Sequence, residues 1–193
     1  MTYPATFSFD PPEKVANWRP LVQWIMAIPH FFAAWLLSIV SAVCMLIAWF
    51  AIVITGKLPE GLANVICLSH RYQTRASAYA GFLHAEYPPF DFTASAADPG
   101  GHPVRLDFEP QLDDRNRLTV FLRLFWMIPA YIFVYVIMIV ASILWFLAFF
   151  AVLFTGKWPA GLLNFIVGAL RVATRFGAYA SLLTDDYPPF ETS

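Results

Sequence analysis

The sequence is poor in charge. Lys, Arg, Asp and Glu make up 13% of its 193 residues, against about 25% in a typical soluble domain. Twelve basic and thirteen acidic residues leave a net charge of −1, which gives no general pull on nucleic acid. The two cysteines, Cys44 and Cys67, are too few for a disulfide framework and read as small buried apolar residues. No Gly-x-Gly-x-x-Gly, P-loop or Gly-x-Ser-x-Gly motif is present, so the usual phosphate cradles and nucleophile elbows are missing. The N-terminal stretch through Lys14 is polar, without a basic region ahead of a short apolar run, and offers no glycine after Met1. It therefore reads neither as a secretory signal nor as a myristoylation site, and membrane insertion is expected from internal segments.

What is abundant is apolar surface: 59% of the residues are hydrophobic and 18% aromatic. A soluble chain of this size cannot hide that much, so part of it is expected to face lipid or other proteins.

Residue n matches residue n+100 over a long stretch. Thr55-Gly56-Lys57 returns as Thr155-Gly156-Lys157, and Pro59, Gly61, Leu62 and Asn64 return as Pro159, Gly161, Leu162 and Asn164. Arg71 and Arg75 return as Arg171 and Arg175, and Tyr87-Pro88-Pro89-Phe90 returns as Tyr187-Pro188-Pro189-Phe190. This is a tandem duplication: unit one over 1–92, a small-residue linker over 93–101, and unit two over 102–193.

Each unit reads in five parts. Ala5–Phe9 and Val104–Phe108 alternate apolar and polar residues, as a strand outside a membrane does. Segments with Trp18, Arg19, Gln23 and Trp24, or Arg117, Arg123 and Trp126, mix aromatics with cations in the manner of interfacial helices. Pro29 and Pro129 are expected to bend the chain. His30–Thr55 and Ala130–Thr155 hold no Asp, Glu, Lys or Arg. Some 26 residues at 1.5 Å each reach about 39 Å, enough to cross roughly 30 Å of hydrocarbon. Gly56 and Gly156 stop these helices, Lys57 and Lys157 follow, and Pro59 and Pro159 open the next helix, expected to run to about Leu83 and Leu183. The prolines of Tyr-Pro-Pro-Phe end that helix, and Phe90–Phe92 is a candidate further strand.

The fold expected is an all-α integral membrane protein with short extramembrane β segments, in two tandem repeats. Each repeat has an interfacial helix, a spanning helix and a returning, Arg-bearing helix. A helical hairpin per unit is favoured for the returning helix, because strand-like segments then gather on one side and pair. The alternative lays that helix in the interface, because an arginine at membrane depth costs roughly 2.5–3.5 kcal/mol on insertion scales. On the hairpin reading, the cations of the terminal segments outnumber Lys57 and Lys157 at the turns. The positive-inside rule then puts both termini in the cytoplasm of a multi-pass inner-membrane protein.

The Thr-Gly-Lys-x-Pro-x-Gly-Leu-x-Asn turn, the Arg-x-x-x-Arg helix and the Tyr-Pro-Pro-Phe exit, each present twice, resemble a bacterial, actinobacterial-type membrane family catalogued as a domain of unknown function, four-three-eight-nine. The resemblance implies membrane location and tandem units. It brings no activity, cofactor or catalytic residue.

No catalytic or metal-ligating set stands out. His30, His70 and His84 are replaced by Ala130, Leu170 and Thr184 in unit two, and with His102 they read as ordinary interfacial histidines. Glu86, Asp185 and Asp186 read as solvated or capping groups. Ser38, Ser41 and Ser142 read as small residues at helix contacts. The candidate binding residues are Arg71, Arg75, Arg171 and Arg175, whose i, i+4 spacing puts each pair on one helix face. Such a pair grips a phosphate, a partner's carboxylate, or groups of its own chain. The function expected is a non-catalytic, cofactor-free accessory subunit of a larger membrane assembly, associating with other membrane subunits or with itself. The alternative is a lipid-binding or transport protein using the paired arginines on anionic headgroups.

Overall fold

The computed structural model describes residues 3–192. It contains β1 (Ala5–Phe9), α1 (Arg19–Met26), α2 (Ile28–Thr55), α3 (Glu60–Ala80), β2 (Val104–Phe108), α4 (Arg117–Phe121), α5 (Arg123–Thr155) and α6 (Ala160–Ala180).

α2 and α5 are the two helices long and apolar enough to cross a membrane, and only 17% of each apolar window is buried. Their outward faces carry Phe32, Trp35, Ile39, Val43, Phe50 and Ile54, with Tyr135, Ile139, Ile143 and Phe146 in the second copy, all exposed. The inward side of α2 carries a stripe of small residues, Ala34, Ser41 and Ala48, seven apart and in line with Ala27 just before the helix, beside the buried His30 and Ile52; the small residues let backbones approach closely.

Each long helix ends in a left-handed glycine, Gly56 (φ 75°) and Gly156 (φ 65°), whose N–H bonds the carbonyl four residues back. An L side chain resists that conformation. The chain reverses there, and α3 and α6 pack back along α2 and α5, one helix pair in each unit. Ser69 Oγ donates to Leu37 O, and His30 Nδ1 lies 2.8 Å from the Tyr72 hydroxyl.

β1 and β2 pair antiparallel with Phe7 opposite Leu106. Phe7, Val104, Leu106 and Phe108 point inward and are buried, while Thr6 and Asp107 are exposed. The sheet lies along α3 and α6, not beyond their ends. Arg71 and Arg75, mid-helix on α3, reach Leu106 O and Val104 O. Ser69 and Gln73 stand two residues either side of Arg71, about 200° around the helix, and face α2. The order is therefore sheet, then α3 and α6, then α2 and α5.

The units are interleaved. Val15 N donates to Gly156 O, and Arg115 N to Gly56 O, so each unit starts against the end of the other's long helix. α1 packs on α5 and α4 on α2; Trp49 Nε1 donates to Val120 O.

Several sequence expectations are corrected. Pro129 marks no helix boundary; it sits inside the single helix Arg123–Thr155, whereas in unit one a boundary falls at Ala27, before Pro29. Arg123 belongs to that helix and is buried, not interfacial. α3 and α6 stop at Ala80 and Ala180, where Phe82 (φ 51°) and Leu182 (φ 68°) turn left-handed. Phe90–Phe92 forms no strand: the prolines before it lack amide donors, and its rings dock on helices, Phe90 stacked on His30 and Phe92 on Tyr72. The turn lysines are not segregated from the terminal cations, because Lys57 Nζ pairs with Asp113 at 3.1 Å beside Arg115. The charge asymmetry behind the positive-inside argument is thus absent.

Gly81 provides a test of this packing. A Cβ there would overlap the Trp145 indole, and Trp145 Nε1 is already committed to Gly81 O at 2.8 Å. G81A is expected to destabilise the protein by about 1–3 kcal/mol through overpacking, read by thermal unfolding in detergent, whereas Gly61→Ala, with nothing near it, should leave stability unchanged or raise it.

Candidate functional site

The arginine face of α3 is held by its own chain. Asp98, in the linker, is buried between the two guanidinium groups: Arg75 Nη2 donates to both of its oxygens at 2.8 and 2.9 Å, and Arg71 Nε lies 3.5 Å from Oδ2. Arg71 Nη2 also donates to the carbonyls of Ser95, Ala96 and Ala97. The amides of Leu106 and Gly100 complete the carboxylate's shell. The linker between units is thereby clamped onto α3. The donors that would grip an external anion are engaged within the chain.

The second pair differs. Arg175 Nη1 donates to Glu191 O as the C-terminal segment runs back along α6. Arg171 is half-buried and makes no polar contact among the described residues. The turn residues Gly56, Lys57 and Pro59, with Gly156, Lys157 and Pro159, shape the helix reversals. Gly156 also faces Val15 O and Asn17, where a Cβ would sit 2.8 Å from Asn17 Oδ1.

A second ionic centre lay hidden in the sequence. Asp185 does not sit in solvent: Arg115 Nη2 donates to it at 2.8 Å, Arg123 Nη2 bonds the same oxygen, and Asn116 N donates to the other. Burial alone would raise its pKa; donation from Arg115 and Asn116 and the two cationic charges outweigh that and hold it below the usual carboxylate range. Arg123 also bonds the carbonyls of Tyr179 and Thr184 and lies over the Tyr179 ring. Arg115 was visible only as one cation in a charged stretch and Arg123 as one among aromatics; their partner is some sixty to seventy residues away.

At the equivalent place in unit one, Gln23 stands for Arg123 and His84 for Thr184. Gln23 Nε2 donates to His84 O, and the His84 and His102 rings meet edge-on with centroids 4.8 Å apart. Both rings are buried, and among the described residues neither nitrogen of His84 makes a well-formed hydrogen bond. Burial, then the neighbouring His102, pushes the His84 pKa down to about 4; burial, then Arg75, lowers that of His102.

Beneath α2, between α3 and α6, lies a hollow of about 410 Å³ lined by Ser38, Ser41, Ser69, His70, Gln73 and Ser181 with apolar neighbours. Among the described residues no group of three or more His, Cys, Asp or Glu is arranged to hold a metal ion.

These features define a mostly helical protein of two interleaved units with an uncovered apolar layer. Residues 17–91 and 117–191 each match the family described as Domain of unknown function (DUF4389). The chain belongs to that family, with two tandem copies of its domain. No curated protein and no solved structure matches it.

D98A should strand two buried guanidinium groups and cost about 3–5 kcal/mol. R171A should stay within about 0.5 kcal/mol of the parent. Denaturant or thermal unfolding of the two variants checks the contrast.

His84 and His102 give a pH dependence. Their folded pKa values lie below the ordinary value of about 6.5, so the unfolded chain takes up protons first as pH falls. Stability should be intact above pH 6.5 and decline by a few degrees of Tm as pH falls towards 4. H84T, which installs the unit-two residue, should flatten that slope.

Proposed function

We propose that this protein is a membrane-resident, non-catalytic accessory subunit that lies along one face of the bilayer with α2 and α5 in the membrane plane. The observation that carries this is the position of the sheet. Arg105 and Asp10, an exposed ion pair, belong to a polar layer level with the middle of α3, on the side away from α2. Were α2 upright across a bilayer, that ion pair would stand at hydrocarbon depth, where charges are costly. Turning the layers parallel to the surface puts the aromatic faces of α2 and α5 in lipid and the sheet in water, as in amphipathic interfacial attachment. The bacterial cytoplasmic membrane is the expected site, with the sheet on its aqueous face. The apolar flanks left uncovered are where neighbouring membrane subunits, or a second copy, would pack.

The test is sidedness. The protein should resist an alkaline carbonate wash. In a background with Cys44 and Cys67 changed to Ala, K57C and K157C should both react with a membrane-impermeant thiol reagent from the same side of sealed vesicles. Because α2 and α5 run antiparallel, labelling from opposite sides would mean that both helices span, and would overturn the in-plane arrangement. Gentle purification should bring a stoichiometric membrane partner or a defined oligomer; a bare monomer would refute the accessory role.

A further inference from the structure

The tandem repeat supplies an internal control, and it singles out the hollow beneath α2. Its polar lining comprises Ser38, Ser41, Ser69, His70 and Gln73 from unit one and Ser181 from unit two. The residues at the equivalent positions are Met138, Ala141, Ala169, Leu170, Ala173 and Gly81, so the polar group is lost at every one. The same two units conserve the Thr-Gly-Lys turn, the arginine pair and the Tyr-Pro-Pro-Phe exit residue for residue. On the equivalent flank, where unit one has Met45, the indole of Trp145 lies directly on Gly81. One copy has packed the space with an aromatic ring; the other has kept it open and lined it with hydrogen-bonding groups.

The geometry describes what fits. His70 Nε2 and Ser181 Oγ are 3.0 Å apart, and Gln73 Nε2 donates to Ser69 Oγ at 2.8 Å. His70 Nδ1 has no partner among the described residues, and neither has Gln73 Oε1. Gly177 makes room for the imidazole, since a Cβ there would lie 3.0 Å from its Cε1. No charged side chain lines this hollow. It shares Ser38 and Gln73 with a second hollow reaching Phe31 and Trp35, and Met45 and Ala180 with a third reaching Trp49 and Met127. The three form a trough along α2 from Phe31 to Trp49, about 27 Å at 1.5 Å per residue. The centre is polar and uncharged, and the arms are mostly apolar, with Ser77 in one and Arg123, already engaged by Asp185 and two carbonyls, in the other, which matches an uncharged amphiphile.

We infer that the trough binds a membrane amphiphile with an uncharged, hydrogen-bonding head, seated between His70, Gln73 and Ser181, and an apolar tail laid along α2. This deepens the membrane-resident reading above and rests on it for the route of entry, because the trough runs along α2, whose outer face is exposed and apolar. A prenylquinone and a diacylglycerol share that chemistry.

Full-length protein in mild detergent would be titrated with a short-chain prenylquinone and, separately, with dioctanoylglycerol, following tryptophan fluorescence and thermal stability. Saturable one-to-one binding of either is expected, and which one binds identifies the head. M45W, which places in unit one the ring that unit two carries, should weaken binding at least tenfold. H70L and S181G, also borrowed from unit two, should each weaken it several-fold with the helical circular dichroism unchanged. Binding of neither compound, binding indifferent to M45W and H70L, or binding confined to anionic phospholipid would overturn the proposal. Because the titration uses solubilised protein, its failure is separable from failure of the sidedness experiment.

Discussion

Two buried guanidinium–carboxylate seams hold this architecture together. Arg71 and Arg75 with Asp98 fasten the linker and β2 to α3. Arg115 and Arg123 with Asp185 fasten the start of unit two to the end of α6. The first lies on the sheet side of α3, and the second joins the start of α5 to the segment that follows α6. A buried ion pair is weak support for stability by itself, since desolvation offsets much of the attraction, but breaking one is severe. Their value here is specificity: guanidinium groups saturated by carbonyls and one carboxylate fix which loop lies where. Apolar contacts alone are non-directional and would leave the thin polar layer free to slide over the helices.

With that layer fixed, the rest follows from crowding. α3 and α6 must meet the sheet on one face and a long helix on the other, so both faces carry small or specifically bonded residues. The buried Ala27, Ala34, Ser41 and Ala48 permit close approach on the α2 side, and Gly168, against Thr192, does so for the C-terminal segment on α6. The outer faces of α2 and α5 touch no further layer, and there the sequence is free to be uniformly apolar.

Local physics made much of this legible in the sequence. Uncharged runs give α2 and α5; alternation gives β1 and β2; Thr-Gly-Lys followed two residues later by proline gives each reversal, because a left-handed glycine and an extended proline leave little choice. The pairing of arginines with Asp98 and Asp185 was illegible, because contacts across twenty to seventy residues leave no local signature. Asp98 sits in a run of small residues that looks like a plain linker, and Asp185 beside Asp186 looks like a solvated end. Pro129 looked like a helix boundary and is not one: α5 runs on through it, past the one backbone hydrogen bond that a proline removes. The hollow beneath α2 left a trace, since His70 facing Leu170 was visible as a difference between copies. Only the fold shows that Ser181, from the other unit, stands beside it.

Duplication explains why such differences are informative. Two copies that begin alike and pack about a common centre face the same geometric demands, so shared residues report those demands. Residues that part ways report something only one copy does. Around Arg123 and Gln23 the copies solve one structural problem by two routes, an ionic cluster and a neutral histidine pair, and each route leaves the core filled. Around Met45 and Trp145 the outcomes are not equivalent: one side is closed by an indole and the other stays open and polar. An open polar cavity flanked by apolar, outward-exposed helices loses packing contacts and leaves hydrogen-bonding capacity unspent. A fold that already holds, in its own second half, the residues that would close the cavity retains that cost only where something occupies the space.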